Sequence, residues 1–183
     1  MEEQVILVDN CDRPIGVMEK MQAHREGVLH RAFSIFVTNA QGELLLQKRA
    51  RSKYHSGGLW TNTCCSHPRP EETTMAAAGR RLQEEMGFSC DLREIFSFIY
   101  RAELDNELIE HEFDRVLIGE FNGEPRPNPQ EAEDFCWISI DALSNDIVAH
   151  PDLYTSWLKI CFEKFVRYVD TNRKIIAKHQ LDE

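Results

Sequence analysis

The chain predicts a mixed α/β sandwich in which helices pack on a sheet. Three observations carry that reading. β-rich runs dominate the middle of the sequence, a capped helical segment interrupts them at 73–86, and a long amphipathic stretch, 153–176, lies near the C-terminus. The elements follow in order. Val5-Ile6-Leu7-Val8, a turn through Asn10-Cys11-Asp12-Arg13-Pro14, and Ile15-Gly16-Val17 read as strand, turn and strand. A short helix fits 19–24. Ala32-Phe33-Ser34-Ile35-Phe36-Val37 reads as a strand, Asn39-Ala40-Gln41-Gly42 as a turn, and Glu43-Leu44-Leu45-Leu46-Gln47 as the return strand. Gly57-Gly58 opens a loop. The segment 73–86 has Thr73 or Thr74 as its N-cap and Gly87 just past its end. Residues 92–101 and 108–121 are β-rich, and Phe135-Cys136-Trp137-Ile138 is a last strand. Between them, Gly123-Glu124-Pro125-Arg126-Pro127-Asn128-Pro129 suits neither a helix nor a central strand, because proline lacks the amide donor both need.

At 183 residues the chain is expected to form one domain, 1–183. Hydrophobic residues make up 42% and charged residues 28%, the balance of an ordinary globular protein. No apolar run approaches the roughly 20 residues that span a bilayer, and the acidic start Met1-Glu2-Glu3-Gln4 does not resemble a signal peptide. The formal net charge of −10 argues against nucleic acid as a partner. It also sets a condition: an anionic ligand needs local cations or a metal to overcome the global field. The six cysteines include no C-x-x-C and form no disulfide-like framework, so they read as reduced thiols of a cytoplasmic protein. Oligomeric state is not legible.

Ser66-His67-Pro68-Arg69-Pro70-Glu71-Glu72, seven further residues, and Arg80-Arg81-Leu82-Gln83-Glu84-Glu85-Met86-Gly87-Phe88 resemble a Nudix box, G-x5-E-x7-R-E-U-x-E-E-x-G-U. Glu72, Arg80, Leu82, Glu84, Glu85 and Gly87 fall at its offsets. The resemblance implies a Nudix-type mixed-sheet sandwich with packed helices. Such a box is a loop-helix-loop that presents carboxylates to a hard cation, which in turn bridges to a diphosphate. The plainer alternative is a solvated helix face. Two positions depart from the pattern: Ser66 stands for Gly and Arg81 for Glu. An arginine removes a metal ligand and adds a fork suited to phosphate oxygens, so the box reads as one that holds a diphosphate instead of cutting it.

Upstream, Trp60-Thr61-Asn62-Thr63-Cys64-Cys65-Ser66-His67-Pro68 is similar to the W-T-N-[ST]-x-C-x-H-P signature of type I isopentenyl diphosphate isomerases. Tyr100-Arg101-Ala102, Glu110-His111-Glu112 and Ser156-Trp157 resemble three further segments of that family. The resemblance runs from about residue 4 to residue 160. It implies an enzyme interconverting isopentenyl and dimethylallyl diphosphate. Moving a double bond requires one proton added and another removed, with a cation-like centre stabilised between the two steps. The family match gives Cys65 and Glu112 those proton transfers, Tyr100 an assisting role beside Glu112, and Trp157 the cation, whose attraction to a desolvated indole is worth about 2 kcal/mol. Cys64 reads as packing, since neighbouring strand residues face opposite ways.

The resemblance further implies a metal site of His24, His30, His67, Glu110 and Glu112. Three imidazoles with carboxylates suit Zn²⁺, Mn²⁺ or another first-row divalent ion. It implies a second ion, Mg²⁺, on Glu85 with the Cys65 backbone carbonyl and the diphosphate. Lys20, Arg49, Lys53 and Arg81 are its phosphate contacts, whereas Lys48 and Arg51 read as a solvated strand end. Two other readings compete: a Nudix pyrophosphohydrolase of a nucleoside diphosphate derivative, which leaves Arg81 and the C-x-H-P unexplained, and a non-catalytic diphosphate-binding module, which leaves Cys65 and Glu112 without a purpose.

Overall fold

The computed structural model describes the backbone of residues 3–179 and the side chains of residues 3–172. The expected span 1–183 therefore includes residues 1–2 and 180–183, which lie outside the described residues.

The order of elements is β1 (Gln4–Val8), β2 (Pro14–Glu19), α1 (Lys20–Glu26), β3 (His30–Thr38), β4 (Leu44–Arg49), β5 (Trp60–Thr61), β6 (Cys64–Ser66), α2 (Thr74–Met86), β7 (Leu92–Glu103), β8 (Ile109–Glu120), β9 (Ala132–Ile138), α3 (Ile140–Ala149) and α4 (Ser156–His179). Short 3₁₀ turns cover Asp105–Glu107 and Pro151–Leu153. The sequence reading places the main strands and α2. The structure corrects it at four points. The first helix begins at Lys20 and runs to Glu26, because the Glu19 carboxylate caps it, accepting from the amides of Met21 and Gln22 at 2.8 and 2.7 Å. The last helix begins at Ser156, not 153, with a 3₁₀ turn before it. β5 and β6, two and three residues long, lack the length a strand pattern needs to register. α3 was not anticipated, although Ser139 caps it by accepting from the Ala142 amide at 3.2 Å.

The strands form a strongly curled mixed arrangement. β7, β8, β3 and β6 are neighbours in that order, with β8 and β3 parallel and the other pairs antiparallel. β9, β4 and β5 form a second antiparallel set. A single residue pair, Thr38 with Leu44, joins the two sets at the β3–β4 corner, and the β1–β2 hairpin attaches through Leu7 opposite His30.

Alternation along the strands divides the core into two layers. Phe33, Ile35 and Val37 of β3 and Leu117 of β8 face α2, which contributes Ala77, Ala78, Leu82 and Met86. On the opposite face, Phe36 and Val116 meet Leu158, Cys161, Phe162 and Phe165 of α4, and the rings of Phe36 and Phe165 stack at 4.4 Å. The sheet is thus sandwiched between α2 and α4. α2 carries both caps legible in its sequence. Thr73 Oγ1 accepts from the Ala76 amide at 3.2 Å, and Gly87 ends the helix at φ 73°, its amide donating to the Gln83 carbonyl. Gly87 is required twice over, because a Cβ there would lie 2.4 Å from the Arg126 carbonyl oxygen.

Candidate active site

The face of the sheet that packs on α4 is apolar at one end and polar at the other. Following β3 back from Phe36 by twos gives Ser34, Ala32 and His30. Following β8 back from Val116 gives Asp114, Glu112 and Glu110. Parallel pairing sets His30 beside Glu112, and the β7–β8 pairing sets Tyr100 beside Glu112. β6 brings Cys65 beside Ser34, and His67 follows one residue past the strand's end. His24 comes from α1, and Trp157 from the first turn of α4. These converge on a cavity lined by Lys20, Ser34, Arg49, Lys53, Tyr54, His55, Cys65, Ser66, His67, Arg81, Glu85, Tyr100, Glu110, Glu112, Glu131 and Trp157.

His24, His30, His67, Glu110 and Glu112 form one buried cluster whose ligand atoms all lie within 4.8 Å of one another. Its tautomers follow from its hydrogen bonds. A carbonyl oxygen only accepts, so His24 Nδ1–H donates to Lys20 O at 2.7 Å and His30 Nδ1–H to Val28 O at 2.8 Å. In a neutral ring that leaves Nε2 bare, and in both residues Nε2 faces the cluster. His30 Nε2 lies 3.2 Å from His67 Nε2, which is 2.8 Å from Glu112 Oε1. Buried His24 Nε2 and Glu110 Oε2 have no hydrogen-bond partner. Burial, and then the neighbouring charges of His67 and Lys20 respectively, hold His30 and His67 well below the usual imidazole range, in the neutral form a metal needs. Burial and Glu112 push Glu110 well up, and burial raises Glu112 as well. Lone pairs and carboxylates forced together without protons repel one another; a divalent cation among them removes that repulsion. The donor set fits a metal.

The rest of the cavity balances charge. Lys20, Arg49, Lys53 and Arg81 face it, and so do Glu85, Glu110, Glu112 and Glu131. Lys20 pairs with Glu3 at 3.0 Å, Lys53 with Glu131 at 2.5 Å, and Arg81 with Glu85 at 2.6 Å, Glu84 at 2.8 Å and Glu131 at 3.2 Å. Among the described residues Arg49 has no carboxylate partner; it donates to the His55 carbonyl at 3.2 Å and lies 5.1 Å over the Trp157 ring. Lys20, Lys53 and Arg81 are each already paired with carboxylates, so the charge a divalent ion adds would strengthen the site's hold on a diphosphate. Glu85 is buried, with Gln47 Nε2 on its second oxygen at 2.7 Å. Glu72 grips Arg80 through two 2.8 Å bonds outside the cavity and shapes the loop before α2. Lys48 and Arg51 pair with Glu133 and do not line the cavity, in keeping with their reading as a strand end.

Cys64 is fully buried in the layer under α2, whereas Cys65 opens to the cavity. The Cys65 thiol donates to Asn62 Oδ1 at 2.8 Å, and burial raises its pKa strongly, so it stays protonated. Tyr100 donates to Glu112 Oε2 at 2.6 Å, and burial followed by the Glu112 charge keeps its hydroxyl protonated. Every residue singled out for chemistry or ligation thus lines one cavity or reaches it through the histidine cluster.

Sequence reasoning missed Ser34, Gln47, Tyr54, His55, Asn62, Asp114 and Glu131. Three carried a signal, Asn62 by lying inside the signature segment 60–68. Gln47 is a polar residue at the end of the apolar run Leu44-Leu45-Leu46, and Asp114 extends the alternation of Glu110 and Glu112 on one strand face. Ser34 donates to Asp114 at 2.8 Å and lies 3.7 Å from the Cys65 sulfur, while burial raises Asp114 to about 7. His55 reaches the site from a loop and had no pattern to announce it.

A NUDIX domain matches residues 28–158. The chain is 54% identical over 177 residues to isopentenyl-diphosphate Delta-isomerase 1 of Aromatoleum aromaticum, covering 97% of this chain and 100% of that one. It is 53% identical over 157 residues to the isopentenyl-diphosphate Delta-isomerase of Serratia proteamaculans, covering 86% and 88%. Among solved structures, DR0079 of Deinococcus radiodurans superposes with a TM-score of 0.75 at 21% identity, covering 88% of this chain and 98% of that one, which is a likeness of fold. Domain match, identity and near-complete coverage agree with the cavity just described: the chain belongs to the isopentenyl-diphosphate Delta-isomerase family, on a NUDIX fold.

Proposed function

We propose that the protein interconverts isopentenyl and dimethylallyl diphosphate, the five-carbon units of isoprenoid synthesis, with Cys65 and Glu112 as its two proton-transfer groups. One observation carries this reading: a protonated thiol and a carboxylate line the same cavity as the indole of Trp157, at the polar end of an apolar sheet face. Protonating the alkene at its terminal carbon places positive charge on the tertiary carbon. Removing a proton from the neighbouring carbon on the diphosphate side restores the double bond, shifted by one position. The diphosphate leaves unchanged.

Each residue then has a task. Lys20, Arg49, Lys53 and Arg81 bind the diphosphate and fix the carbon chain. Tyr100, through its 2.6 Å bond to Glu112, orients that carboxylate and hands a proton to it or takes one from it. Asn62 orients the Cys65 sulfur. Trp157 offers a π-face to the developing cation; Arg49 takes one face of the ring, and the substrate takes the other. His24, His30, His67, Glu110 and Glu112 would hold Zn²⁺ or Mn²⁺, and Glu85 with the Cys65 carbonyl would hold Mg²⁺; bound there, such ions would supply positive charge beside Glu112 and offset the diphosphate. Arg81, standing where the Nudix box has a glutamate, speaks against hydrolysis, since it takes away one of the carboxylates that hold a hydrolase's metals.

The test is incubation with isopentenyl diphosphate in deuterated water. Deuterated dimethylallyl diphosphate without released phosphate is the expected result. Released phosphate would mean a hydrolase and no turnover would mean a binding module, and each overturns the proposal.

A further inference from the structure

His55 lies outside the five-ligand cluster yet faces it. It sits in the loop between β4 and β5 and is only 4% exposed. Its Nε2 is 3.5 Å from Glu110 Oε1. Its Nδ1 is 3.3 Å from the Ser56 hydroxyl, and Ser56 holds φ at 50°, the left-handed region that a serine seldom adopts. Its ring stands edge-on to Trp157 with centroids 5.4 Å apart and lies nearly parallel to that of His24 at 6.4 Å. The Arg49 guanidinium holds the same loop by donating to the His55 carbonyl.

Hydrogen-bond chemistry assigns the imidazole. A metal-bound Glu110 is a carboxylate and only accepts, so the single N–H of a neutral His55 belongs on Nε2. Nδ1 is then left to accept from the Ser56 hydroxyl. Nδ1 is thereby occupied, and Nε2–H faces the Glu110 oxygen. A buried imidazole whose Nε2 faces a ligating carboxylate across 3.5 Å, and whose edge meets the cavity's indole, bears on two groups at once. We propose that His55 is a positioning residue that orients Glu110 within the metal cluster and braces Trp157 against it, so that the metal and the cation-stabilising wall keep a fixed relation. This rests on the reading of the cluster as a metal site.

The outer partner of a metal ligand is worth about 10–100-fold in metal affinity. The experiment measures Zn²⁺ affinity by chelator competition in wild type, His55→Phe and His55→Gln, with thermal melting of each metal-free protein. Phe keeps a ring edge toward Trp157 and removes the donor; Gln keeps an N–H that can stand where Nε2 stands. The expected result is a loss of about 10–100-fold in Zn²⁺ affinity for His55→Phe, with most of it recovered in His55→Gln, and metal-free melting temperatures that match the wild type. Equal affinity in all three overturns the inference, as does an equal loss in both variants, which would mark His55 as packing alone. A wild type that binds no Zn²⁺ overturns the metal reading itself and this inference with it, so the two failures are told apart.

Discussion

Cys64 and Cys65 share a backbone yet belong to different environments, one in the packed layer under α2 and one open to the cavity. Cys65→Ala and Glu112→Gln should each lower kcat by at least about 10²-fold while changing KM little, because a placed acid or base contributes about 10²–10⁴. Cys64→Ala should turn over like wild type; a dead Cys64 variant beside an active Cys65 variant would reverse the assignment. Arg81 offers a second test. Its guanidinium is gathered by Glu84, Glu85 and Glu131 and still faces the cavity. Arg81→Ala should raise KM by roughly ten- to a hundred-fold, since charge-assisted hydrogen bonds are worth about 1.5–3 kcal/mol. Steady-state kinetics decide it, and an unchanged KM removes Arg81 from the diphosphate site. At this scale the residues inside motifs were legible, because the spacing of a motif survives in one dimension. His55 and Glu131 were not: each lies in a loop whose path depends on what it packs against.

Among the elements, α2 was legible because its stop and start signals are local. Thr73 and Gly87 act within one turn of themselves, and the structure shows both caps made. Gly87→Ala should lower the melting temperature far more than Thr73→Ala, whose lost cap costs about 1 kcal/mol. The alanine must adopt a positive φ and also displace the Arg126 carbonyl; equal effects would show that the helix end can rebuild. The loop before α2 hangs on Glu72, whose bonds to Arg80 hold its carboxyl below the usual value of 4.5. A depressed folded-state value means stability that is present above pH 4.5 and fades as pH falls toward the folded value. The melting-temperature gap between wild type and Glu72→Gln should therefore be full at neutral pH and close in acid; a gap that persists at pH 3 would mean the pair does not carry it. β5 and β6 stayed hidden because two or three residues cannot establish an alternation. α3 carried the Ser139 cap and apolar Ile140, Leu143 and Ile147, but followed so closely on β9 that its start merged with the strand.

For the whole molecule, the governing fact is that one sheet face serves as core at one end and as site at the other. Sequence patterning shows that such faces exist, but not which strands lie side by side. The parallel pairing of β3 with β8, which sets His30 against Glu112, joins segments far apart in the chain and has no local signature. Removing divalent metal with a chelator should abolish turnover and lower the melting temperature, because a ligand bound to the folded state alone stabilises it by mass action. His67→Ala should lose metal content on purification. Normal stoichiometry together with normal activity in that variant would sink the five-ligand cluster. Among the described residues no helix is long and apolar enough to cross a membrane.

The spread of those five ligands along the chain, from His24 to Glu112, has a consequence in polymer terms. An ion gripped at those five points would tie α1, β3, the segment after β6 and β8 into closed loops, as a many-armed staple does. Such loops limit the expansion of the chain when it loosens. The loaded protein should therefore resist proteolytic nicking between residues 24 and 112 more than in α3, which contributes no arm to the staple.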